Sequence, residues 1–423
     1  MHSLLLASYR AAVAAADPLH IVAGHLPAPP RGRTVVVGAG KAAASMARAV
    51  EQAWPADAPL SGLVVTRYAH GLPLARIRCV EAGHPVPDEA GEAAAREILE
   101  LARGLGPDDL LIALVSGGGS SLLSLPVPEV SMASLKGVTQ ALLRSGAPIE
   151  DMNVVRKHLS QVQGGRLAAA TRAAVLGLIV SDVAGDDPSA IASGPTVPDP
   201  SSYGQALAIL RRFEVDAPAD VRQWLEAGAE GRHPETPKPG DPLFARVDNR
   251  TIATAQQSLQ AGARSLREAG IPAVVLGDTV TGEAREVAKV YAALVRQIRR
   301  RGEPFAAPVA LVSGGECTVT VRGKGRGGRC TEFLLSLAHE LGGEDGLCAL
   351  ACDTDGIDGS EDNAGAWWDS ALLRQAAARG LAPARWLESN DAWGYFSELD
   401  SLVVTGPTLT NVNDYRVILV GQA

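Results

Sequence analysis

The sequence predicts an α/β protein built from two α/β domains. Three observations carry that expectation. Short apolar, β-branched runs alternate with alanine-rich helical runs almost throughout the chain. The strand-like runs are apolar at consecutive positions, as expected of strands covered by helices on both faces. Most of them end in small-residue loops rich in glycine, serine and aspartate. With 423 residues, 46% hydrophobic and 20% charged, the chain is long enough to bury two cores.

The elements follow in order. Residues 1–18 read as an amphipathic first helix, without the basic start of a signal peptide. Thr34–Val37 is a first strand, running into Gly38-Ala-Gly40-Lys41, and Ala42–Trp54 is the helix after it. Leu63–Thr66 is a second strand and Ala90–Arg103 a helix. Leu110–Val115 is a strand that ends in Ser116-Gly117-Gly118-Gly119-Ser120, and Val175–Val180 one that ends in Ser181-Asp182. The stretch Arg232–Pro242, rich in proline and charge, reads as a linker. Beyond it, Thr251–Ala255, Ala273–Leu276, Val309–Val312 and Cys348–Cys352 repeat the strand pattern, with Glu283–Arg301 as a helix between them. The expected domains are therefore 1–235 and 236–423.

Composition narrows the function. A net charge of −8 argues against a nucleic-acid-binding surface. The longest apolar runs, such as Ala174–Val180, fall far short of the ~20 residues of a membrane span. Five cysteines, an odd number without a CxxC pair, suit neither a disulfide framework nor a zinc ribbon, so the cytoplasm is the default location.

In open α/β sheets ligands bind beyond the carboxyl ends of strands. The residues found there are Gly38, Gly40 and Lys41, then Ser116 to Ser120, then Asp182, Asp186 and Asp187. In the second half come Gly314, Gly315 and Glu316, the basic glycine loop ending in Arg329, Asp353, Asp355 and Asp358, and Thr408 with Asn411. Backbone N–H groups of glycine loops hold phosphate oxygens. Acidic loops can hold the magnesium that accompanies a triphosphate. Lysine or arginine in a glycine turn can neutralise a transferring phosphoryl group. Together these features favour phosphoryl transfer. Only six of the 39 basic residues are lysines, which singles out Lys41. Arg156 and Lys157 lie in a charged run that fits a solvated helix face as well as a site, and His84 reads as a turn histidine. A nicotinamide reading competes. Gly38-x-Gly40-x-x-Ala43 fits a relaxed dinucleotide fingerprint, although the next strand ends in Thr66-Arg67 with no acid for a ribose hydroxyl.

The stretches VVGAGKAAASMA, EAGHPVPDE, SGGGSSLL, NVVRKHLSQVQGGRLA, SDVAGDDPSAIASGPTVPD, SGGECTVTV, GGRCTEFLL, DGIDG and TGPTLTNVND run in order from about Val35 to Asp414. In this the chain resembles the class II glycerate kinase family, whose C-terminal region, here about 305–415, is called the MOFRL domain. The resemblance implies an ATP-dependent kinase acting on D-glycerate, largely giving 2-phosphoglycerate and using Mg2+. It implies a Rossmann-like first domain and an active site in the cleft between the two domains. The family's essential lysine falls on Lys41 and its essential arginine on Arg329, expected to face each other across that cleft. Asp182 is the expected aspartate for the attacking hydroxyl. Gly38, Gly40, Ser116, Gly117, Gly118, Gly119, Ser120, Gly314 and Gly315 are expected at the ATP phosphates. Arg156, Lys157, Glu316, Thr408 and Asn411 are expected at or behind the substrate, and Asp186, Asp187, Asp355 and Asp358 at the metal. Four positions depart from the family pattern: Gln163 for a lysine, Cys330-Thr331 for Asn-Gln, and Leu409 for a glycine. Some family members carry the name hydroxypyruvate reductase, the same rival as above. A non-catalytic organic-anion-binding protein is the other alternative.

Overall fold

Residues 1–422 are described by a computed structural model. One unit, Pro18–Ile252, is built on a six-stranded sheet. Its strands are β1 (Thr34–Ala39), β2 (Leu60–Arg67), β3 (Ile77–Ala82), β4 (Leu110–Val115), β5 (Ala174–Val180) and β6 (Val247–Ala253), in the order β3-β2-β1-β4-β5-β6. β1 to β5 pair in parallel. Every residue of β1 and β4 is buried, which explains their unbroken apolar runs. This is the doubly wound order, and its direction reverses between β1 and β4.

The segment Arg232–Pro242 does not link the units; it is tied into the first. Thr236 Oγ1 donates to Asp199 Oδ2 at 2.9 Å, Lys238 Nζ donates to Thr236 Oγ1 at 2.7 Å, and Glu235 accepts from the Tyr203 amide at 3.0 Å. The chain leaves this unit only after β6, so the division falls at Ile252 and not after residue 235. The expected strand Thr251–Ala255 is the end of β6. Thr254 caps the following helix, Ala255–Glu268, in a reciprocal box with Gln257 that stops the strand there.

The second unit joins Met1–Asp17 to the chain from Ala253 onward. The first helix, His2–Ala14, buries Leu5, Tyr9 and Ala12 with Leu259, Ala263 and Tyr415. Tyr9 Oη also donates to the Asp353 carbonyl at 2.9 Å. The strands are β7 (Ala273–Gly277), β8 (Gly282–Glu283), β9 (Val309–Ser313), β10 (Cys317–Thr318), β11 (Leu347–Asp353), β12 (Gly365–Asp369), β13 (Leu402–Val403) and β14 (Asp414–Val420). Six form a sheet in the order β13-β12-β11-β14-β9-β7, and β8 pairs with β10. β7 and β9 are parallel, but β14 lies antiparallel to both β11 and β9. This sheet is mixed, unlike the first. Antiparallel partners need no helical crossover, so the strand–helix alternation lapses towards the C-terminus and β12 and β14 escape a reading based on it. No helix among the described residues is long and apolar enough to cross a membrane.

Candidate functional site

In the first unit the ends of β1 and β4 close on each other. Gly38 lies inside β1, where a Cβ would fall 2.3 Å from the Leu114 carbonyl oxygen. Gly40, with φ at 138°, could carry a Cβ only 2.1 Å from Ser116 Oγ. Both glycines therefore make room for protein. Two hydrogen bonds fuse the loops: the Lys41 amide donates to the Gly117 carbonyl at 2.8 Å, and the Ala42 amide to Ser116 Oγ at 3.0 Å. Lys41 stands at this seam. At Gly118, φ 79°, a Cβ would lie 2.8 Å from His84 Nε2 and 3.6 Å from Lys41 Cγ, so the imidazole, the lysine stem and the loop backbone are neighbours. Nothing in the local sequence of Gly83-His84-Pro85 signals that placement.

The same loop is braced from below. Ser120 Oγ is 2.9 Å from Ser193 Oγ, which donates to Asn153 Oδ1 at 3.1 Å. Ala192 and Ser193 hold this position with left-handed φ values of 49° and 58°. Gln163 Nε2 donates to the Ser120 carbonyl at 2.9 Å, so Gln163 supports the loop as a neutral donor. Asp182 follows β5, the strand next to β4. Asp187 accepts from the amide and hydroxyl of Ser189 at 2.8 and 2.9 Å. Lys157 is buried in an ion pair with Asp199 at 3.5 Å. Burial works against the Asp199 charge, but Lys157, Ser201 and His158 hold its carboxyl below the ordinary range. Lys157 thus belongs to the core of this unit. Its neighbour Arg156 lines a cavity beside Ser120 and Ser121.

In the second unit Arg329 opens the helix Arg329–Leu341 and is gripped on all sides. Nε donates to Asp414 Oδ1 at 2.8 Å, Nη1 to Glu316 Oε1 at 2.8 Å and Nη2 to Asp353 Oδ2 at 2.7 Å. Burial opposes its charge, yet Asp414, Asp353 and Glu316 outweigh that and raise its pKa well above the ordinary value. Asp414 also pairs with the fully buried Arg416, whose Nη1 donates to the Gly314 carbonyl at 2.9 Å. Glu332 pairs with Arg285. Asp358 is buried and accepts from the amides of Cys330 and Thr331 at 2.9 and 2.8 Å and from the Thr331 hydroxyl at 2.7 Å. Asp355 accepts from the Ile357 amide at 2.8 Å. The Thr408 amide donates to the Asp355 carbonyl at 3.0 Å, and Asn411 accepts from the Asn413 amide at 3.4 Å. Gly315 packs its backbone against Val280.

Gly38, Gly314 and Gly315 have packing roles. Of the four aspartates expected at a metal, Asp186 and Asp187 lie in the first unit, after β5, and Asp355 and Asp358 in the second, after β11. Asp358 spends both oxygens capping a helix, Asp187 is taken by Ser189, and no group of three or more His, Cys, Asp or Glu among the described residues could hold a cation.

Comparison with known proteins agrees with this architecture. Residues 4–226 match a domain of unknown function (DUF4147) and residues 309–414 match the MOFRL family. A "Glycerate 2-kinase" of Pyrococcus horikoshii is 39% identical over 92% of this chain and 88% of its own length. This chain belongs to the glycerate kinase family. A crystal structure of glycerate kinase from Thermotoga maritima superposes with a TM-score of 0.87 at 35% identity, covering 99% of this chain and 100% of that one. A protein of Agrobacterium vitis, 51% identical over 98% of this chain and 93% of its own, carries the provisional name hydroxypyruvate reductase. Two names thus attach to one family.

Proposed function

We propose that the chain is an ATP-dependent kinase that phosphorylates D-glycerate, giving 2-phosphoglycerate. The observation that carries this reading is the placement of Lys41 at the seam of two glycine loops, where the strand order of the first sheet reverses. Phosphoryl transfer asks chiefly for positioning and charge neutralisation. The Lys41 ammonium supplies the neutralising charge, and the loop Gly117–Ser120, held by Gln163 and Ser193, offers rigid backbone donors to the phosphates. Magnesium keeps several waters and binds largely through phosphates, so it enters as part of the MgATP substrate. Asp182 orients the attacking hydroxyl. In the second unit the link between Arg329 and Glu316 is the exposed one: the Glu316 side chain is 55% accessible, against 5% for Asp353 and 0% for Asp414. A substrate anion takes the place of Glu316 on Nη1 while the other two carboxylates keep the guanidinium aimed.

The reductase name is less well supported by the site. The hollow over Gly40, the glycine at which a dinucleotide fingerprint lets the backbone approach a pyrophosphate, is occupied by Ser116. The test is to incubate the chain with D-glycerate, ATP and magnesium and follow ADP release, with NAD(P)H absorbance and hydroxypyruvate in parallel. Glycerate-dependent ADP release is the expected result, and phosphorus NMR of the product then reports the 2-position. Loss of NAD(P)H absorbance without ADP release would overturn the kinase in favour of the reductase. Neither signal would leave an anion-binding protein.

A further inference from the structure

Within the first unit a cavity of about 380 Å3 opens directly beside the glycine loop. Ser120 and Ser121, the last residues of that loop, are part of its lining. Two helices, Met132–Arg144 and Ile149–His158, supply the walls, with Leu135, Leu143, Ile149 and Met152 among them. Leu143 and Ile149 are large apolar residues left 67% and 50% exposed at the chain's surface. Among the described residues Arg156 has neither an ion pair nor a side-chain hydrogen bond, although it is half-buried in the same wall. Burial alone acts on its guanidinium and lowers its pKa. A partly desolvated cation without a partner is costly, and a ligand anion relieves that cost.

We propose that this cavity receives the adenosine end of ATP, with Arg156 on the polyphosphate, an assignment that rests on the kinase reading above. Size and lining decide between the two substrates. Sites of ~300–1,000 Å3 with mostly apolar walls and a few placed polar groups are typical of drug-sized ligands. D-glycerate is small and polar and leaves four aliphatic walls unused. A purine fills them, and its attached phosphates lead from Arg156 past Ser121 and Ser120 to Lys41 without leaving the protein surface. Continuity of the cavity wall with the phosphate loop is what ties the two ends of one ligand together.

The test separates this inference from the kinase assignment. A fluorescent ADP analogue, mant-ADP, is titrated into the full chain, and ATP and glycerate kinetics are measured alongside. Thr139 lines the cavity from a half-buried position, so Thr139→Trp fills it without entering the core. Thr139→Trp should weaken mant-ADP binding and raise KM for ATP at least tenfold, while KM for glycerate stays within twofold. Arg156→Met should do the same without lowering the unfolding midpoint, because no partner is lost, and Arg156→Lys should recover part of the affinity. If the wild type phosphorylates glycerate but both variants bind mant-ADP normally, the cavity assignment falls and the kinase stands. The cavity assignment also falls if glycerate KM rises and ATP KM does not. If the wild type binds mant-ADP and Thr139→Trp abolishes it, while no phosphorylation of glycerate occurs, the kinase falls and the nucleotide cavity stands.

Discussion

The two units carry opposite kinds of polar architecture. At the ends of β1 and β4 the loops are joined and braced by backbone amides, serine hydroxyls and the Gln163 amide, through neutral hydrogen bonds. Around Arg329 they are full charges, with three carboxylates on one guanidinium and a second arginine behind Asp414. The bracing bonds of the first can stay in place when an anion binds. The second is already saturated and must release a carboxylate to receive one. Function and stability are therefore entangled at Arg329.

The strongest way to break that contrast is at Asp414. Removing one member of a buried pair leaves its partner charged and desolvated, a loss of about 3–5 kcal/mol. Asp414→Ala strips a partner from both Arg329 and Arg416, so urea unfolding should show a loss of that order, with activity falling along with it. Lys41→Ala should give the reverse pattern: kcat down by on the order of 10²–10³, as for a lost transition-state charge contact, with the urea midpoint nearly unchanged. A Lys41→Ala chain that unfolds early, or turns over within a few-fold of wild type, would remove the distinction. Arg329→Lys keeps the charge but cannot reproduce a fork that meets three carboxylates, so it should lose both kcat/KM and stability, each less than Asp414→Ala loses stability.

Acid titration sharpens the comparison further, because Asp199 in the first unit and Asp358 in the second shift in opposite directions. In the first unit the Asp199 pKa is lowered below its ordinary value by Lys157, Ser201 and His158 against the cost of burial. Its ionised form stabilises the fold above the unfolded pKa of about 3.9, and that stability is lost as pH falls through the folded value. In the second unit burial raises the Asp358 pKa despite the Thr331 and Cys330 hydrogen bonds. Its charge costs stability at neutral pH, and protonation relieves the cost as pH falls. Hydrogen exchange at pH 7 and below pH 3 should therefore show the amides around Asp199 losing protection relative to those around Asp358. Asp199→Asn should flatten the response of the first unit. Equal losses in both regions would contradict the opposed shifts.

What is legible in the sequence is local. The glycine loops and Lys41 stand out because they interrupt apolar strands at fixed places, and the parallel strands of the first sheet stand out because burial on both faces writes itself as a continuous apolar run. Glu316 and Asp353 each stand out after a strand, but their convergence on Arg329 is not legible. The third carboxylate, Asp414, is 85 residues from Arg329 and is brought in by β14, a strand that breaks the alternation. The charged run Arg156-Lys157-His158 reads equally well as a solvated face. Lys157 and His158 are buried and Arg156 half-buried, and the segment that reads as a linker supplies Glu235, 3.2 Å from His158. A charge run carries no mark of what a distant loop will lay over it.

The smallest expected effect comes from Leu409, the position where the family pattern has glycine. The loop Thr405–Asn411 is fixed to its neighbour by the Thr408 amide on the Asp355 carbonyl at 3.0 Å and by the Thr408 hydroxyl on the Thr354 carbonyl. Within that loop Leu409 has φ at 60°, the left-handed region in which a Cβ crowds its own carbonyl. The conformation costs a non-glycine residue about 1–2 kcal/mol, and glycine adopts it freely. Against that stands the half-buried leucine side chain, which glycine would forfeit. Leu409→Gly should therefore gain about 1 kcal/mol or less, seen as a small rise in the urea midpoint at unchanged slope. Leu409→Ala is the control: it keeps the Cβ and loses the packing, so it should destabilise. Both variants keep the Thr408 side chain and its hydrogen bonds, so kinetics should stay within twofold. A loss of stability in Leu409→Gly as large as in Leu409→Ala would mean that packing, and not backbone strain, governs this loop.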